Sequence, residues 1–600
     1  MPQLRIALAQ INATVGDLAG NCDLVLDWTR RAAAQGARVV VFPEMMLTGY
    51  PVEDLALRPS FVDASIAAMR GMAQRLAADG LGGIAVVTGY LDHRTGVAPR
   101  VGLPAGAPLD AAALLHAGAV VATSAKHHLP NYGVFDEYRY FVPGDSLPVF
   151  RIASDSGDPV DVAIAICEDL WQDGGPVTVA RVAGAALLVV PNASPYERGK
   201  DDTRLALCQR RAREAGAALA YVNMVGGQDE LVFDGDSIIV DATGRPLARG
   251  PQFEDALVVA DLELPAAEAS RRPGQTPADA ADGTVITIHR LELADVPRPP
   301  ASPDAAPRVL WPRLTDSAEV YAALVTGVRD YVSKNSFSSV IIALSGGIDS
   351  ALTATIAADA IGADRVHVVL MPSRFSSDHS VSDAEDLVKR QGLHARTVPI
   401  QPIADAFDAE LHLHGLAAEN LQARIRGMIL MSLSNADGHL VLTTGNKSEI
   451  ATGYSTLYGD SAGGFAPIKD VPKTMVWELA RWRNRQAELR GQTPPIPENS
   501  ITKPPSAELA PGQLDTDSLP DYEVLDALLD DYVEQDMGAD ALIAAGHDPD
   551  LVDRVIRMVD RAEYKRRQYP PGPKISAKNF GRDRRLPITS RWRERRPGVS

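Results

Sequence analysis

The sequence has few cysteines, no long hydrophobic run and no excess of positive charge. Its 600 residues include only Cys22, Cys167 and Cys208, too few and too scattered for a disulfide framework or a cysteine-based metal site. The longest apolar run, 182–191, is about half of a membrane span. A net charge of −18 repels nucleic acid phosphates and anionic membranes. We therefore expect a cytoplasmic protein that binds neither nucleic acid nor a membrane.

The length and the pattern of the chain predict two domains. Six hundred residues exceed one ordinary hydrophobic core. From about residue 4 to 264, short apolar runs alternate with amphipathic stretches, which is typical of an α/β domain. A segment rich in proline and poor in large apolar residues follows. We predict domains at 1–270 and 313–600, joined by a linker at 271–312, and a doubly wound parallel sheet in the second domain.

Three chemically distinct side chains follow apolar strand-like runs in the first domain. Glu44 ends ARVVVFPE, Lys126 follows GAVVATSA, and Cys167 ends VDVAIAIC. Cleavage of an amide by a thiol needs a base for the thiol proton and positive charge for the oxyanion. Alone, a cysteine of this kind is more often a small buried apolar residue. Together, the three residues predict one catalytic site at the strand ends.

Four segments of this domain resemble the glutaminase branch of the nitrilase superfamily: PEMMLTGYPVEDL, KHHLPNYGVFDEYRYF, ICEDLW and PNASPYERGK. The resemblance implies a nitrilase-like α-β-β-α sandwich. It also implies that Glu44 is the general base, Lys126 the oxyanion stabiliser and Cys167 the nucleophile. By the same resemblance, the glutamine-binding residues are Tyr132, Ser194 and Lys200.

Two features of the KHHLPNYGVFDEYRYF segment have more than one interpretation. Glu137 resembles a supporting second glutamate of the family, but it could equally pair with Arg139. His127 and His128 suggest a proton shuttle or a metal site, yet the sequence shows no third ligand beside them. Surface or packing histidines are therefore the favoured interpretation.

The second domain opens with SGGIDS between an apolar strand, VIIAL, and a helical run. Glycines let backbone amides approach phosphate oxygens, and a helix N-terminus favours negative charge. The segment lacks the lysine of a Walker loop and instead resembles the pyrophosphate loop of ATP pyrophosphatases. Further segments, including LTTGNKSEIATGYSTLYGDSAGGFAPIKDVPKT, resemble NAD synthetases. The order of the two domains resembles the glutamine-dependent members of that family.

This resemblance implies a set of substrate-binding residues. The ATP-binding residues would be Ala343, Leu344, Ser345, Gly346, Gly347, Ile348, Asp349, Ser350, Thr444, Lys473 and Ser506. Those for deamido-NAD⁺ would be Asn420, Glu449 and Lys565, and Mg²⁺ would be held by Asp349 and Glu449, which offer hard carboxylate oxygens. One departure from the single-domain, ammonia-dependent enzymes is Leu457, which stands where those enzymes carry lysine.

The expected reaction converts ATP, deamido-NAD⁺ and L-glutamine into NAD⁺, AMP, pyrophosphate and glutamate through an adenylated intermediate. Two such sites in one chain imply an enclosed ammonia passage, since free ammonia would be lost to water. The alternatives are an amidase with a nucleotide-binding module, or another glutamine-fed ATP pyrophosphatase. The Arg-rich end, RDRRLPITSRWRERRP, on an acidic chain predicts a homo-oligomer.

Overall fold

The computed structural model describes residues 1–96, 102, 104–302, 310–592 and 594. The chain divides into two compact units. The first comprises residues 1–228 and 233–314, and the second comprises 229–232 and 315–600.

The first unit contains sixteen strands and five α-helices among its described residues. The strands are β1 Gln3–Gln10, β2 Val39–Val41, β3 Ala85–His93, β4 Pro108–His116, β5 Ala119–Ala125, β6 Ser146–Ala153, β7 Pro159–Ile164, β8 Leu187–Asn192, β9 Ala218–Asn223, β10 Val225–Gln228, β11 Leu231–Asp234 (which straddles the division), β12 Ile238–Val240, β13 Pro246–Arg249, β14 Ala256–Glu263, β15 Gly274–Asp279 and β16 Val285–Glu292. The helices are α1 Leu18–Ala34, α2 Pro59–Ala78, α3 Glu137–Tyr140, α4 Gly175–Ala183 and α5 Lys200–Ala215.

Two mixed sheets form the centre of this unit. Their strand orders are β14-β1-β2-β3-β4-β5 and β13-β12-β9-β8-β7-β6-β16-β15. Strand β8 shows why they pack together: Leu187 and Val189 join a core shared by both sheets, whereas Leu188 and Val190 contact α4 and α5 on the other face. This alternation buries both faces of the strand. With α1 and α2 beside the first sheet, the predicted α-β-β-α sandwich is confirmed.

Residues 274–292, which fall within the predicted linker 271–312, contain two strands, β15 and β16. Strand β16 pairs in parallel with β6, and β15 pairs antiparallel with β16, so both extend the eight-stranded sheet. The physical reason lies in TVITIHRLEL, where Ile286 and Ile288 alternate with exposed or half-buried residues and are themselves buried. The proline-rich flanks concealed this strand pattern.

The second unit contains four strands, β17 Val340–Ala343, β18 Val366–Leu370, β19 His394–Thr397 and β20 Leu440–Leu442, in the described part of the chain. Its helices are α6 Asp316–Lys334, α7 Ile348–Ile361, α8 Asp378–Gln391, α9 Gln401–Leu411, α10 Leu416–Asp437, α11 Lys447–Thr452, α12 Lys473–Leu489, α13 Glu498–Thr502, α14 Tyr522–Leu529, α15 Ala539–Ala544, α16 Pro549–Arg561 and α17 Glu563–Arg566.

The four strands form one parallel sheet in the order β19-β18-β17-β20. Ile341, Val369 and Val441 pack against Ile425 and Leu430 of α10. Helix α7 follows β17 directly and packs against β17 and β18. The predicted α/β class of this domain is confirmed, and the carboxyl ends of its strands meet where ligands bind in such folds.

No helix among the described residues is both long enough and apolar enough to span a membrane. The Arg-rich end that motivated the homo-oligomer lies partly outside the described residues, at 593 and 595–600. The oligomer stays a prediction.

A buried ion pair generates a stability prediction for the first unit. Both side chains, Arg204 of α5 and Asp234 of β11, are fully buried, and Arg204 Nη1 lies 2.6 and 2.7 Å from the two carboxylate oxygens. We expect Asp234→Ala to lower the free energy of unfolding by about 3–5 kcal/mol, because it leaves the guanidinium charge buried without its partner. Denaturant unfolding of the variant would measure this.

The matched control is Asp23→Ala, since Asp23 pairs with Arg75 and the two side chains are 66% and 53% exposed. A surface pair of this kind contributes about 0–1 kcal/mol. Equal losses for the two variants would contradict the assignment.

Candidate active sites

The three side chains predicted to act on an amide come together at the strand ends of the first unit. Glu44 follows β2, Lys126 follows β5, and Cys167 begins a 3-10 turn, 167–170, after β7. The side chains of Glu44 and Lys126 are each 1% exposed, and Cys167 is buried. The chain thus converges on one enclosed site from three strands.

The ammonium group of Lys126 is the centre of this site. Its Nζ lies 2.6 Å from Glu44 Oε1, 2.8 Å from Glu137 Oε1 and 3.4 Å from Asp110 Oδ2. Burial acts to lower the pKa of Lys126, but the charges of the acidic neighbours outweigh it and raise the pKa well above its ordinary value. Lys126 therefore stays charged.

The pKa values of the Glu44 and Asp110 carboxyl groups depend on each other and on Lys126. Burial acts to raise the pKa of Glu44, but Lys126 and a hydrogen bond from Asp110 overcome it, so the pKa falls below its ordinary value. Burial, reinforced by the charge of Glu44, raises the pKa of Asp110 well above its usual range. The two shifts favour the protonated form of Asp110 and the ionised form of Glu44.

Glu44 is also held by the backbone: Ala193 N donates a 2.7 Å hydrogen bond to Glu44 Oε2. Cys167 has a φ of 42°, a conformation that side chains other than glycine rarely adopt. Burial, followed by the charge of Glu44, raises the pKa of its thiol. The thiol is consequently protonated at rest and needs a base to become a nucleophile.

The two interpretations of Glu137 are separated by geometry. Glu137 is buried and contacts Lys126, and it also accepts a 2.9 Å hydrogen bond from Tyr50 Oη. Arg139 pairs instead with Asp54, at 3.1 Å. Burial raises the pKa of Glu137 to about 7 despite the opposing charge of Lys126. Its position beside Lys126 supports the role of a second glutamate.

The predicted glutamine-binding residues occupy different environments. Tyr132 is 55% exposed, and its hydroxyl donates to Glu168 at 3.0 Å. Ser194 is buried, and its backbone N donates to Asn223 Oδ1 at 2.9 Å. Lys200 Nζ lies 5.7 Å from the centre of the Trp171 ring.

Sequence reasoning missed Asp110 and Asp169. Asp110 stands alone in the apolar strand PLDAAALLH, which was the signal for a buried acid with a special role. Asp169 Oδ1 accepts hydrogen bonds from the backbone N of His127 and of His128, while its Oδ2 accepts one from Ile166 N. This buried carboxylate joins the segment after Lys126 to the residue before Cys167.

The second unit places the SGGIDS segment between β17 and α7, as the pattern predicts. Ser350 Oγ donates to Gly347 O at 3.0 Å and lies 3.1 Å from Ser345 Oγ, which closes the loop on itself. Gly346 has a φ of +81°, and a Cβ there would lie 2.1 Å from Ser380 O. Only glycine fits at this position.

A cavity of about 700 Å³ opens over this loop. All but one of the predicted ATP, dinucleotide and metal residues line it, namely Ala343, Leu344, Ser345, Gly347, Ile348, Asp349, Ser350, Thr444, Lys473, Ser506, Asn420, Glu449 and Lys565. The exception is Gly346, whose role is the turn. The structure therefore assembles residues that are more than two hundred positions apart in sequence.

Lys473 organises the acidic side of the cavity. Its Nζ lies 2.5 Å from Asp349 Oδ2 and 3.5 Å from Glu449 Oε1. Burial, and then the charge of Asp349, raise the pKa of Glu449 to about 8. Two carboxylates thus face one lysine, and their oxygens are of the type that Mg²⁺ prefers.

Two further side chains of this cluster were not predicted. Asn446 Nδ2 donates to Asp349 Oδ1 at 2.9 Å, and its own Oδ1 accepts from Glu449 N as the N-cap of α11. Asp515 accepts a 2.8 Å hydrogen bond from Tyr522 Oη, and burial raises its pKa. Asn446 within TTGNKSE had a recognisable capping pattern, whereas Asp515 had no local signal.

Comparisons with known proteins cover both units. The family model for carbon-nitrogen hydrolase matches residues 5–272, and the model for NAD synthase matches residues 320–569. The glutamine-dependent NAD⁺ synthetase of Acinetobacter baylyi is 41% identical over 99% of each chain. That of Thermotoga maritima is 42% identical over 99% of this chain and all of its own length.

Solved structures agree. The glutamine-dependent NAD⁺ synthetase of Acinetobacter baumannii, in complex with ADP, matches with a TM-score of 0.68 and 37% identity over 99% of this chain and 100% of that one. The corresponding protein from Cytophaga hutchinsonii matches with a TM-score of 0.75 over 98% of each chain; at 21% identity it is similar in fold.

The protonated state of Asp110 generates a prediction about hydrolysis of the amide. Asp110→Asn keeps a donor for Glu44, whereas Asp110→Ala removes it and leaves a cavity. We expect the alanine variant to release glutamate from glutamine about 100-fold more slowly, and the asparagine variant to stay within about tenfold of the parent. Initial rates of glutamate release measure both. Equal rates for the two variants would show that Asp110 does not act as a donor.

Proposed function

The chain belongs to the glutamine-dependent NAD⁺ synthetases, and from that premise we propose which of its residues carry each half of the reaction. The chain uses ATP and the amide nitrogen of glutamine to convert deamido-NAD⁺ into NAD⁺. The observation that carries our assignment is that each unit holds its own cluster of buried charged residues around one lysine. Full-length similarity to these synthetases argues against the amidase and other ATP pyrophosphatase alternatives.

In the first unit, Glu44 takes the thiol proton as Cys167 Sγ attacks the side-chain carbonyl of glutamine. Collapse of the tetrahedral intermediate breaks the carbon–nitrogen bond, and the proton held by Glu44 passes to the departing nitrogen to give ammonia. Water then hydrolyses the thioester to glutamate. This role for Glu44 is supported by its lowered pKa beside a thiol whose pKa is raised.

Lys126 serves this step as the fixed positive charge for the oxyanion. Its ammonium cannot reorient freely, because it is fully buried and bonded to Glu44 and Glu137. A preorganised charge of this kind stabilises the transition state without reorganisation. Tyr132, Ser194 and Lys200 would hold the glutamine substrate, with Tyr132 and its partner Glu168 on the exposed side.

In the second unit, the carboxylate of deamido-NAD⁺ attacks the α-phosphate of ATP and pyrophosphate leaves. Ammonia then attacks the adenylated carbonyl, and AMP leaves. The loop 343–350, Thr444, Lys473 and Ser506 would bind ATP, since they line one cavity at the carboxyl ends of a parallel sheet. Backbone N–H groups at the start of α7 favour phosphate there.

Asp349 and Glu449 fit a magnesium ion, since both line this cavity and offer hard carboxylate oxygens. When bound, Mg²⁺ would neutralise phosphate charge beside the reacting carboxylate. Asn420 and Lys565 would contact the dinucleotide. Lys565 Nζ already donates to Gly453 O at 2.7 Å and Ser455 O at 2.6 Å, which fixes it on the cavity wall.

The separation of the two chemistries yields a prediction for the thiol. Cys167→Ala should abolish glutamine-dependent NAD⁺ formation and leave ammonium-dependent formation largely intact, because only the reaction of the first unit uses the thiol as its nucleophile. The residual activity should rise with pH as more free ammonia becomes available. Product analysis with each nitrogen source measures both rates.

Cys208→Ala is the matched control. Cys208 is buried among apolar residues of α4, α5 and β8, so its loss should spare both activities. Appreciable use of glutamine by the Cys167→Ala variant would remove Cys167 from the mechanism. Loss of the ammonium route as well, in a folded protein, would contradict the independence of the two sites.

A prediction for the second unit concerns Asp349. Asp349→Asn removes a charge that Mg²⁺ needs while keeping the size of the side chain, so NAD⁺ formation should fall at least about 100-fold with either nitrogen source. Glutamate release by the first unit should persist. The control is Glu385→Gln, an exposed acid on α8. Undiminished ammonium-dependent synthesis by Asp349→Asn would exclude it from the metal site.

A further inference from the structure

A compact group of metal-ligating side chains lies in the first unit, outside the thiol site. Asp282, in the turn between β15 and β16, brings its Oδ2 to 3.3 Å from His128 Nε2 and 3.7 Å from His127 Nε2. The two imidazole rings meet edge to face, with centroids 4.7 Å apart. The third ligand that the sequence did not reveal is thus supplied by a residue about 155 positions away.

The hydrogen bonds of His127 fix which nitrogen faces this group. His127 Nδ1 lies 2.7 Å from Gly144 O. Because a carbonyl oxygen only accepts, Nδ1 carries the proton and Nε2 presents its lone pair. An imidazole held in this way by a backbone carbonyl is the usual arrangement of a histidine that binds a metal. If the group held no metal and His128 simply formed a hydrogen bond with Asp282, the lone pair of His127 Nε2 would have only a weak contact, 3.4 Å, to Thr284 Oγ1.

Hydrogen bonds also hold the Asp282 carboxylate in an orientation that suits metal binding. Its Oδ1 accepts hydrogen bonds from Thr284 Oγ1 at 2.6 Å and Thr284 N at 3.0 Å, which directs Oδ2 toward the histidines. The backbone also makes room. Gly175 has a φ of +56°, and a Cβ there would lie 2.4 Å from His128 Cε1. A larger residue would displace the ring.

The spacing of the ligand atoms fits zinc. Zn²⁺ binds imidazole nitrogen and carboxylate oxygen at about 2.0–2.2 Å in tetrahedral sites, which sets neighbouring ligand atoms about 3.3–3.6 Å apart. The separations from Asp282 Oδ2, 3.3 and 3.7 Å, lie close to that range, and the three ligand atoms all lie within 4.8 Å of one another. We propose that His127, His128 and Asp282 form a zinc-binding site whose fourth ligand is water. The Asp282 side chain is 22% exposed, which leaves a path for the ion and for that water.

The test measures zinc itself on the full chain. The parent is the untagged Cys167→Ala protein, which removes the catalytic thiol as a competing ligand, kept in millimolar Mg²⁺ to occupy the carboxylates of the second unit. After equilibrium dialysis at micromolar free Zn²⁺, we expect one zinc per chain by elemental analysis. His128→Gln and Asp282→Asn, each added to this parent, should weaken binding at least about 100-fold.

The matched control is Asp279→Asn, the same substitution at an exposed position on the same hairpin, and it should retain the full equivalent. Circular dichroism and the denaturant unfolding transition verify that the first unit of each variant is folded. With Co²⁺ in place of Zn²⁺, the parent should show the intense visible bands of four-coordinate cobalt, and Asp282→Asn should lose them. Absence of bound zinc in the parent, or full retention by both ligand variants, would overturn the proposal.

Discussion

The state of the thiol site follows from the burial of one ammonium group. Removing Lys126 from water costs several kcal/mol, which only close negative partners offset. Glu44 and Glu137 provide them, at 2.6 and 2.8 Å. A third ionised acid in the same space would add repulsion, and burial together with the charge of Glu44 raises the pKa of Asp110, which favours its protonated form. The base that Cys167 requires is therefore a consequence of how the lysine is buried.

The second unit also places two carboxylates beside a buried lysine, but these carboxylates are partly exposed. Lys473 is as buried as Lys126, but its partners Asp349 and Glu449 are each 18% exposed on the wall of a cavity. Burial, and then the charge of Asp349, raise the pKa of Glu449 to about 8. The lysine of the first site is thus enclosed with its acidic partners, whereas that of the second lies beside carboxylates that a ligand in the cavity can reach.

Local patterns predicted the residues that follow apolar strands. Glu44, Lys126 and Cys167 each end such a run, and SGGIDS lies between a strand and a helix, so both sites had a signal in sequence. Asp110 had a local signal as the acid within an apolar strand, whereas Asp282 approaches the two histidines only across about 155 positions of chain, which no local pattern contains. The strand over 285–292 had an alternating pattern, but proline-rich flanks concealed it. The sheets were therefore predictable in type, and their edges were not.

The carboxylate of Asp169 contacts the backbone beside both Lys126 and Cys167. Asp169 Oδ1 fixes the backbone of His127 and His128, directly after Lys126, and its Oδ2 fixes Ile166, directly before Cys167. The backbone directly after Lys126 and that directly before Cys167 are consequently held by opposite oxygens of a single buried group. A cation bound by the two histidines and Asp282 would pull on the same segment from its exposed side. The proposed zinc site and the thiol therefore have Asp169 as a common hydrogen-bonding neighbour, although they share no ligand.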